Sequence, residues 1–163
     1  MRTSLITIIA ALVVATFAAC SSIDCPLNNR VYAKFRLAAT LDDTLTVAVP
    51  RSADNLGDDT ILVNRMTEFD SIMLPMSYSR TEDMYVFDVR QKGSDVETFD
   101  TVWVSKSNQP HFESVDCNPT FFHTITGVRF TKRAIDNIQI NNDKVTYNDA
   151  KAHFLINFKS HSN

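Results

Sequence analysis

The sequence predicts an all-β protein, an antiparallel β-sandwich of immunoglobulin-like type. Three observations predict it. Apolar and polar residues alternate with a period of two along most of the chain. Clusters of Asp, Asn, Gly, Ser and Pro interrupt the alternation at intervals of roughly 8 to 15 residues, the rhythm of a two-sheet sandwich. The 163 residues also include only three glycines, which disfavours a propeller or a glycine-rich barrel.

The elements follow in order. Val31, Ala33, Phe35, Leu37 and Ala39 alternate with Tyr32, Lys34 and Arg36, and Leu45, Val47 and Val49 alternate with Thr44 and Thr46. Ile72, Leu74 and Met76 form a further set, then Tyr85, Phe87 and Val89. Val102, Trp103 and Val104 are apolar on both faces, as in a central strand. Val128 and Phe130, then Ile138 and Ile140, then Phe154, Ile156 and Phe158 complete the series. The expected core is Phe35, Val47, Leu74, Phe87, Val104, Val128, Ile140 and Ile156. Turns are expected at "ADNLGDD", "QKGSD", "SNQP", "INNDK" and "YNDAK". The stretches "DTLTV", "DTILV", "DSIML", "DTVWV" and "DNIQI" begin at Asp43, Asp59, Asp70, Asp100 and Asp136. Each reads as a strand start: Asp closes a turn by accepting backbone N–H bonds, and the aliphatics then enter the core face.

Ahead of this body, residues 5–19 are apolar except for Thr7 and Thr16, and end in small side chains. A spanning helix needs roughly 20 apolar residues, so residues 1–19 read as a signal peptide. "FAAC" resembles a bacterial lipoprotein signal, in which the Cys sulfur carries a diacyl group; here that is Cys20, although Phe17 stands where Leu is usual. Plain secretion or an uncleaved anchor are the other readings. Residues 20–29 would then be a lipid-anchored stalk, 30–159 the sandwich and 160–163 a tail. Removing residues 1–19 takes only Arg2 from the 16 basic residues and leaves all 19 acidic ones. A mildly acidic chain with no basic stretch gives no footprint for nucleic acid.

Lipidation of Cys20 leaves two of the three cysteines, Cys25 and Cys117, and an oxidising compartment would pair them. A disulfide closing a loop of roughly 100 residues contributes about 4 to 5 kcal/mol in the chain-entropy account. Two unpaired thiols are the alternative. His111, Cys117 and His123 lack the close ligand spacing of a zinc site, so no metal and no cofactor are expected. Asp54, Asn55, Asp58 and Asp59 depart from EF-hand spacing and read as a solvated hairpin tip. "PHFESVD" brings His111, Glu113, Ser114 and Asp116 close in sequence, yet strand neighbours point to opposite faces and need not converge. No G-x-S-x-G occurs, and no catalytic residue is assigned. Phe121 and Phe122 are expected to be buried on the two sides of one strand.

The longest distinctive stretches are "DCPLNN", "LPMSYS", "DTVWV", "PHFESVDCNPTFFHTITGVRFTKRAIDNIQINN" and "HFLINF". Together, from Cys25 to Phe158, they resemble a Bacteroidota lipoprotein family known only as a domain of unknown function. The resemblance implies an exported, lipid-anchored, β-rich protein of the outer membrane, facing the periplasm or the cell surface, and brings no catalytic residues. Asp followed by Thr or Ser and an aliphatic also resembles the O-glycosylation sequon of that bacterial group, making Thr44, Thr60, Ser71 and Thr101 candidate glycan sites. The expected function is a non-enzymatic binding or structural module, accessory to a β-barrel or other envelope protein or to a glycan. The alternative is a glycan- or peptidoglycan-active hydrolase, which needs two carboxylates about 5 to 10 Å apart across a cleft.

Overall fold

The computed structural model describes Cys25 and residues 30–50, 59–147 and 150–160. The signal segment, Cys20 and the expected hairpin-tip residues Asp54, Asn55 and Asp58 lie outside the described residues. Ten strands and no helix make up the described chain. They are β1 (Tyr32–Leu37), β2 (Thr44–Val49), β3 (Thr60–Met66), β4 (Ser71–Pro75), β5 (Glu82–Arg90), β6 (Glu97–His111), β7 (Thr120–Phe130), β8 (Ile135–Ile140), β9 (Lys144–Val145) and β10 (Phe154–Phe158). One sheet has the order β4-β1-β10-β8 and the other β3-β2-β5-β6-β7-β9. Four strands against six differ from the four-against-three of an immunoglobulin constant domain, so the likeness is one of two-layer architecture.

Alternation does what the sequence predicts. Phe35, Val47, Leu74, Phe87, Val104 and Ile156 are all buried between the sheets. Phe35 is their hub: its ring stacks on Phe154 at 4.4 Å and meets Phe87 and Tyr85 edge-on at 6.1 and 6.4 Å. Tyr85 can join this core because its hydroxyl donates to the Pro75 carbonyl at 2.9 Å. Two expected core residues differ. Val128 is partly buried against the core. Ile140 is 40% exposed, because it ends edge strand β8 where the facing sheet no longer covers it. Alternation assigns a face; it does not say how far the opposite layer extends.

Three further expectations are corrected. The sandwich is not wholly antiparallel: β1 and β10 run parallel, with Phe35 opposite Phe154 and Leu37 opposite Ile156. The pairing continues beyond the strands, where the Lys34 N–H donates to Nδ1 of the buried His153 and the His153 N–H donates to the Lys34 carbonyl, both at 2.9 Å. "SNQP" is not a turn; it lies inside β6, with Pro110 opposite Phe121. β5 stops opposite Ser105, so this part of β6 has an open edge where a residue without an N–H is tolerated. The Asp rule holds for Asp43, Asp59 and Asp70, which directly precede β2, β3 and β4, but Asp100 and Asp136 lie within β6 and β8.

Asp100 has a different task. It points inward, fully buried, and its carboxylate accepts from the Thr131 hydroxyl and from the N–H groups of Arg133, Ala134 and Ile135, the last two at 2.7 Å. These donors belong to the crossover from β7 to β8, where the chain changes sheets. Burial alone would push this carboxyl up; the bonds from Thr131, Ile135, Arg133 and Ala134 outweigh it and hold it below the ordinary carboxylate range.

Two predictions follow from this packing. Phe35→Ala should cost about 3 to 5 kcal/mol in urea unfolding, whereas Ile140→Ala should cost about 1 kcal/mol or less. Asp100→Asn turns one acceptor into an NH₂ group facing N–H donors, and should cost at least about 2 kcal/mol in the same assay.

Candidate functional site

β6 and β7 continue past the end of β5 as an arm, residues 106–111 against 120–125, joined by β9 at His123 and Thr124. A bulge between Ser105 and Lys106 passes Thr126 and exchanges the faces of β7, so that His123 and Ile125 point inward on one side of it and Val128 on the other. Residues 112–119 close the arm and carry Cys117, which is disulfide-bonded to Cys25 with their Cα atoms 5.4 Å apart. The pairing expected from the cysteine count is thus the one present in the structure.

The inner face of the arm is polar. Lys106 is buried, and its ammonium donates to the carbonyls of Ser77 and Arg80 and to Asn108 Oδ1, with Asp83 at 3.5 Å. Asn108 in turn donates to the carbonyls of Tyr78 and Arg80 at 2.9 and 3.0 Å. Buried Asp83 accepts the Ser77 N–H at 3.1 Å. His123 Nδ1 lies 2.8 Å from Asn108 Oδ1, an atom already accepting from Lys106, which sets Nδ1 as the protonated nitrogen. Together these groups clamp the "MSYSR" loop, residues 76–80, against the arm. Burial pushes the Asp83 carboxyl up and the Lys106 ammonium down, each opposed by the other's charge. Burial, then the Lys106 charge, lowers His123 to about 4.

The outer end is aromatic. Phe121 and Phe122 point to opposite faces but are only partly buried, against the expectation of burial on both sides. Phe121 stacks on Tyr78 at 5.4 Å. Phe122 stacks on His111 at 4.2 Å and meets Tyr147 edge-on at 5.1 Å. The Tyr147 hydroxyl is 2.6 Å from that of Thr120. Several apolar side chains here are exposed: Tyr78 by 64%, Phe112 by 60%, Val115 by 96% and Tyr147 by 45%.

The "PHFESVD" residues are held apart in role. His111 Nε2 lies 3.2 Å from Glu113 Oε1 at the surface. Ser114 turns inward on its own loop, accepting the Asp116 N–H at its hydroxyl and the Cys117 N–H at its carbonyl. Cys117 belongs to the disulfide and His123 to Asn108, so the trio considered for zinc is divided among three tasks. The candidate glycan positions are dispersed. Thr44, Thr60 and Ser71 open β2, β3 and β4, and of the four candidates only Thr60 is exposed; Thr101 lies inside β6 between β5 and β7. Sequence reasoning missed Asp83, Lys106 and Asn108. The signal was present for two of them: Asp83 shares its face with Tyr85 and Phe87, and Lys106 with Val102 and Val104.

At the opposite end of β6 a cleft of about 650 Å³ lies between the sheets' ends. Asp42, Asp43, Lys92, Asp136 and Lys159 line it, and Asp43 Oδ1 accepts the Lys92 N–H at 3.0 Å.

Residues 44–158 match a family model described as "Family of unknown function (DUF6452)". The chain belongs to this family. The DUF6452 match covers nine of the ten strands, the arm and its buried clamp, and begins after β1. No curated protein and no solved structure matched this DUF6452 chain.

The clamp makes stability depend on pH. The folded state holds His123 unprotonated down to about 4, while the unfolded histidine takes up a proton near 6.5. Stability from this group is full above 6.5 and is lost as pH falls toward 4. His123→Asn, which keeps a donor near the Nδ1 position without titrating, should flatten that part of the stability–pH curve, read by urea midpoints.

Proposed function

We propose that this DUF6452 protein is an outer-membrane lipoprotein of the Bacteroidota that binds and does not catalyse. Residues 1–19 are removed, Cys20 is diacylated, and the sandwich is a rigid module that engages another envelope protein, such as a β-barrel, or a glycan. The observation that carries the reading is the Cys25–Cys117 disulfide. It fastens a residue five positions after Cys20 to the tip of the β6–β7 arm, so an anchor at Cys20 would hold the folded body and not merely a loose tail. The disposition of charge supports the same reading. Asp100, Asp83, Lys106 and His123 are spent on backbone and side-chain partners that hold loops in place. The cleft lined by Lys92, Asp136 and Lys159 lies at the other end of β6 from the disulfide and is the face offered to a partner. O-glycans at Thr44, Thr60 or Ser71 would decorate strand starts and one at Thr101 the middle of β6, with Thr60 the most accessible.

The test is fractionation with crosslinking. Cys20→Ala should release the protein from membranes washed at high salt; quantitative retention would place the anchor elsewhere. A photo-crosslinking residue at Lys92 should capture one envelope partner in intact cells. Turnover of an envelope glycan or peptide, abolished by Glu113→Ala or Asp116→Ala, would replace this reading with the hydrolase. Intact-mass analysis should show glycan beyond polypeptide and lipid, and a mass without it would remove the sequon assignment.

A further inference from the structure

Phe112 and Val115 sit in the loop that closes the arm, five and two residues before Cys117. A turn apex is normally given to Gly, Asn, Asp or Ser. Here it is given to a β-branched apolar residue that is 96% exposed. Tyr78 and Tyr147 flank the same end, the first stacked on Phe121 and the second edge-on to Phe122, each with an apolar ring and a polar hydroxyl. Such amphipathic rings favour the layer between lipid chains and water.

The reach of the chain supplies the occupant. Cys25 lies five positions after Cys20, and five extended steps of chain span at most about 18 Å. Cys25 is held 5.4 Å from Cys117, Cα to Cα. With the Cys20 lipid in a bilayer, the arm's tip is tethered within reach of the headgroup layer, and its bare apolar side chains lie at the tethered end of the molecule. The loop's own charge is unsuited to an anionic surface, because Glu113 and Asp116 share it with Phe112 and Val115.

We infer that the tip of the β6–β7 arm, led by Phe112 and Val115 with Tyr78 and Tyr147 beside them, docks into the interfacial layer of the bilayer that holds the Cys20 lipid. The contact rests on the lipoprotein reading above and deepens it. It is an apolar contact with a neutral membrane surface, insensitive to salt, and it fixes the tilt of the sandwich so that the cleft at the other end points away from the membrane.

Amide hydrogen exchange on the unaltered, lipidated protein tests this in phosphatidylcholine vesicles, with the Cys20→Ala protein in solution as reference. Exchange in residues 112–116 should slow several-fold on vesicles, at low salt and at 1 M salt, while the turn at residues 91–96 stays unchanged. A second readout replaces the single Trp103 by Phe and places the reporter with Val115→Trp or, at the far end, Val96→Trp. Lipid brominated high on its acyl chains should quench the first several-fold more than the second. Equal quenching and unchanged exchange, with the protein still floating with vesicles, would overturn the docking contact and leave the anchor standing. Failure of the wild-type protein to float would remove both. Protection of residues 112–116 in native envelopes but not in pure lipid would assign the tip to a protein partner and overturn the inference.

Discussion

One buried carboxylate organises the crossing from β7 to β8, where the chain passes between two β-layers that pack face to face through the Phe35 cluster. Asp100 gathers the Thr131 hydroxyl and three successive backbone N–H groups. Without it, the Ala134 and Ile135 N–H groups would be buried with no acceptor, at about 1 to 3 kcal/mol each. The bond set also fixes where β8 begins, and β8 carries Ile135 and Ile138 into the core beside β10. The position of the four-stranded sheet against the six-stranded one follows from that one residue and from the Phe35 cluster opposite.

The molecule uses buried charge twice, in different ways. Asp100 is an anion surrounded by neutral donors, so its ionised form is favoured. The Asp83–Lys106–Asn108–His123 group balances one charge against another and fills the rest with carbonyls. Replacing such a group by hydrocarbon is often no loss in stability. What the group does provide is register: carbonyls at Ser77, Tyr78 and Arg80 find donors only when the loop lies in one place. That loop carries Tyr78, which stacks on Phe121, so the polar clamp beneath sets the aromatic surface above.

Much of this was legible in the sequence, for a physical reason. Period-two alternation is a direct record of which side chains face a core, and it located Phe35, Val47, Leu74, Phe87, Val104 and Ile156. The count of three cysteines led to the Cys25–Cys117 pair. Long-range pairing left no such record. Nothing local distinguishes Asp100 from Asp43, since both precede Thr and an aliphatic; only the arrival of residues 131–135 makes one a crossover clamp and the other a strand start. "SNQP" reads as a turn because its residues favour turns, and it is a strand because β7 offers a ladder along its whole length. The exposed aromatics at the arm's tip are invisible to alternation, which describes faces and not ends.

The parallel pairing of β1 with β10 has a consequence in time. Lys34 and His153, which extend that pairing, are 119 residues apart. The strand nearest the amino terminus therefore waits for the last strand before its sheet can close, and such non-local contacts make assembly slow. A chain delivered end-first across a membrane would emerge with β1 unpaired on one side until nearly all of it had arrived. Sheet edges of this kind invite association with other chains. The six-stranded sheet, in which β2–β3, β5–β6 and β6–β7 are neighbours in sequence, can form first and shelter Phe35 only in part. Premature termination before residue 154 would strand the protein in that half-built state, with its apolar inner face uncovered, a natural substrate for chaperones and proteases.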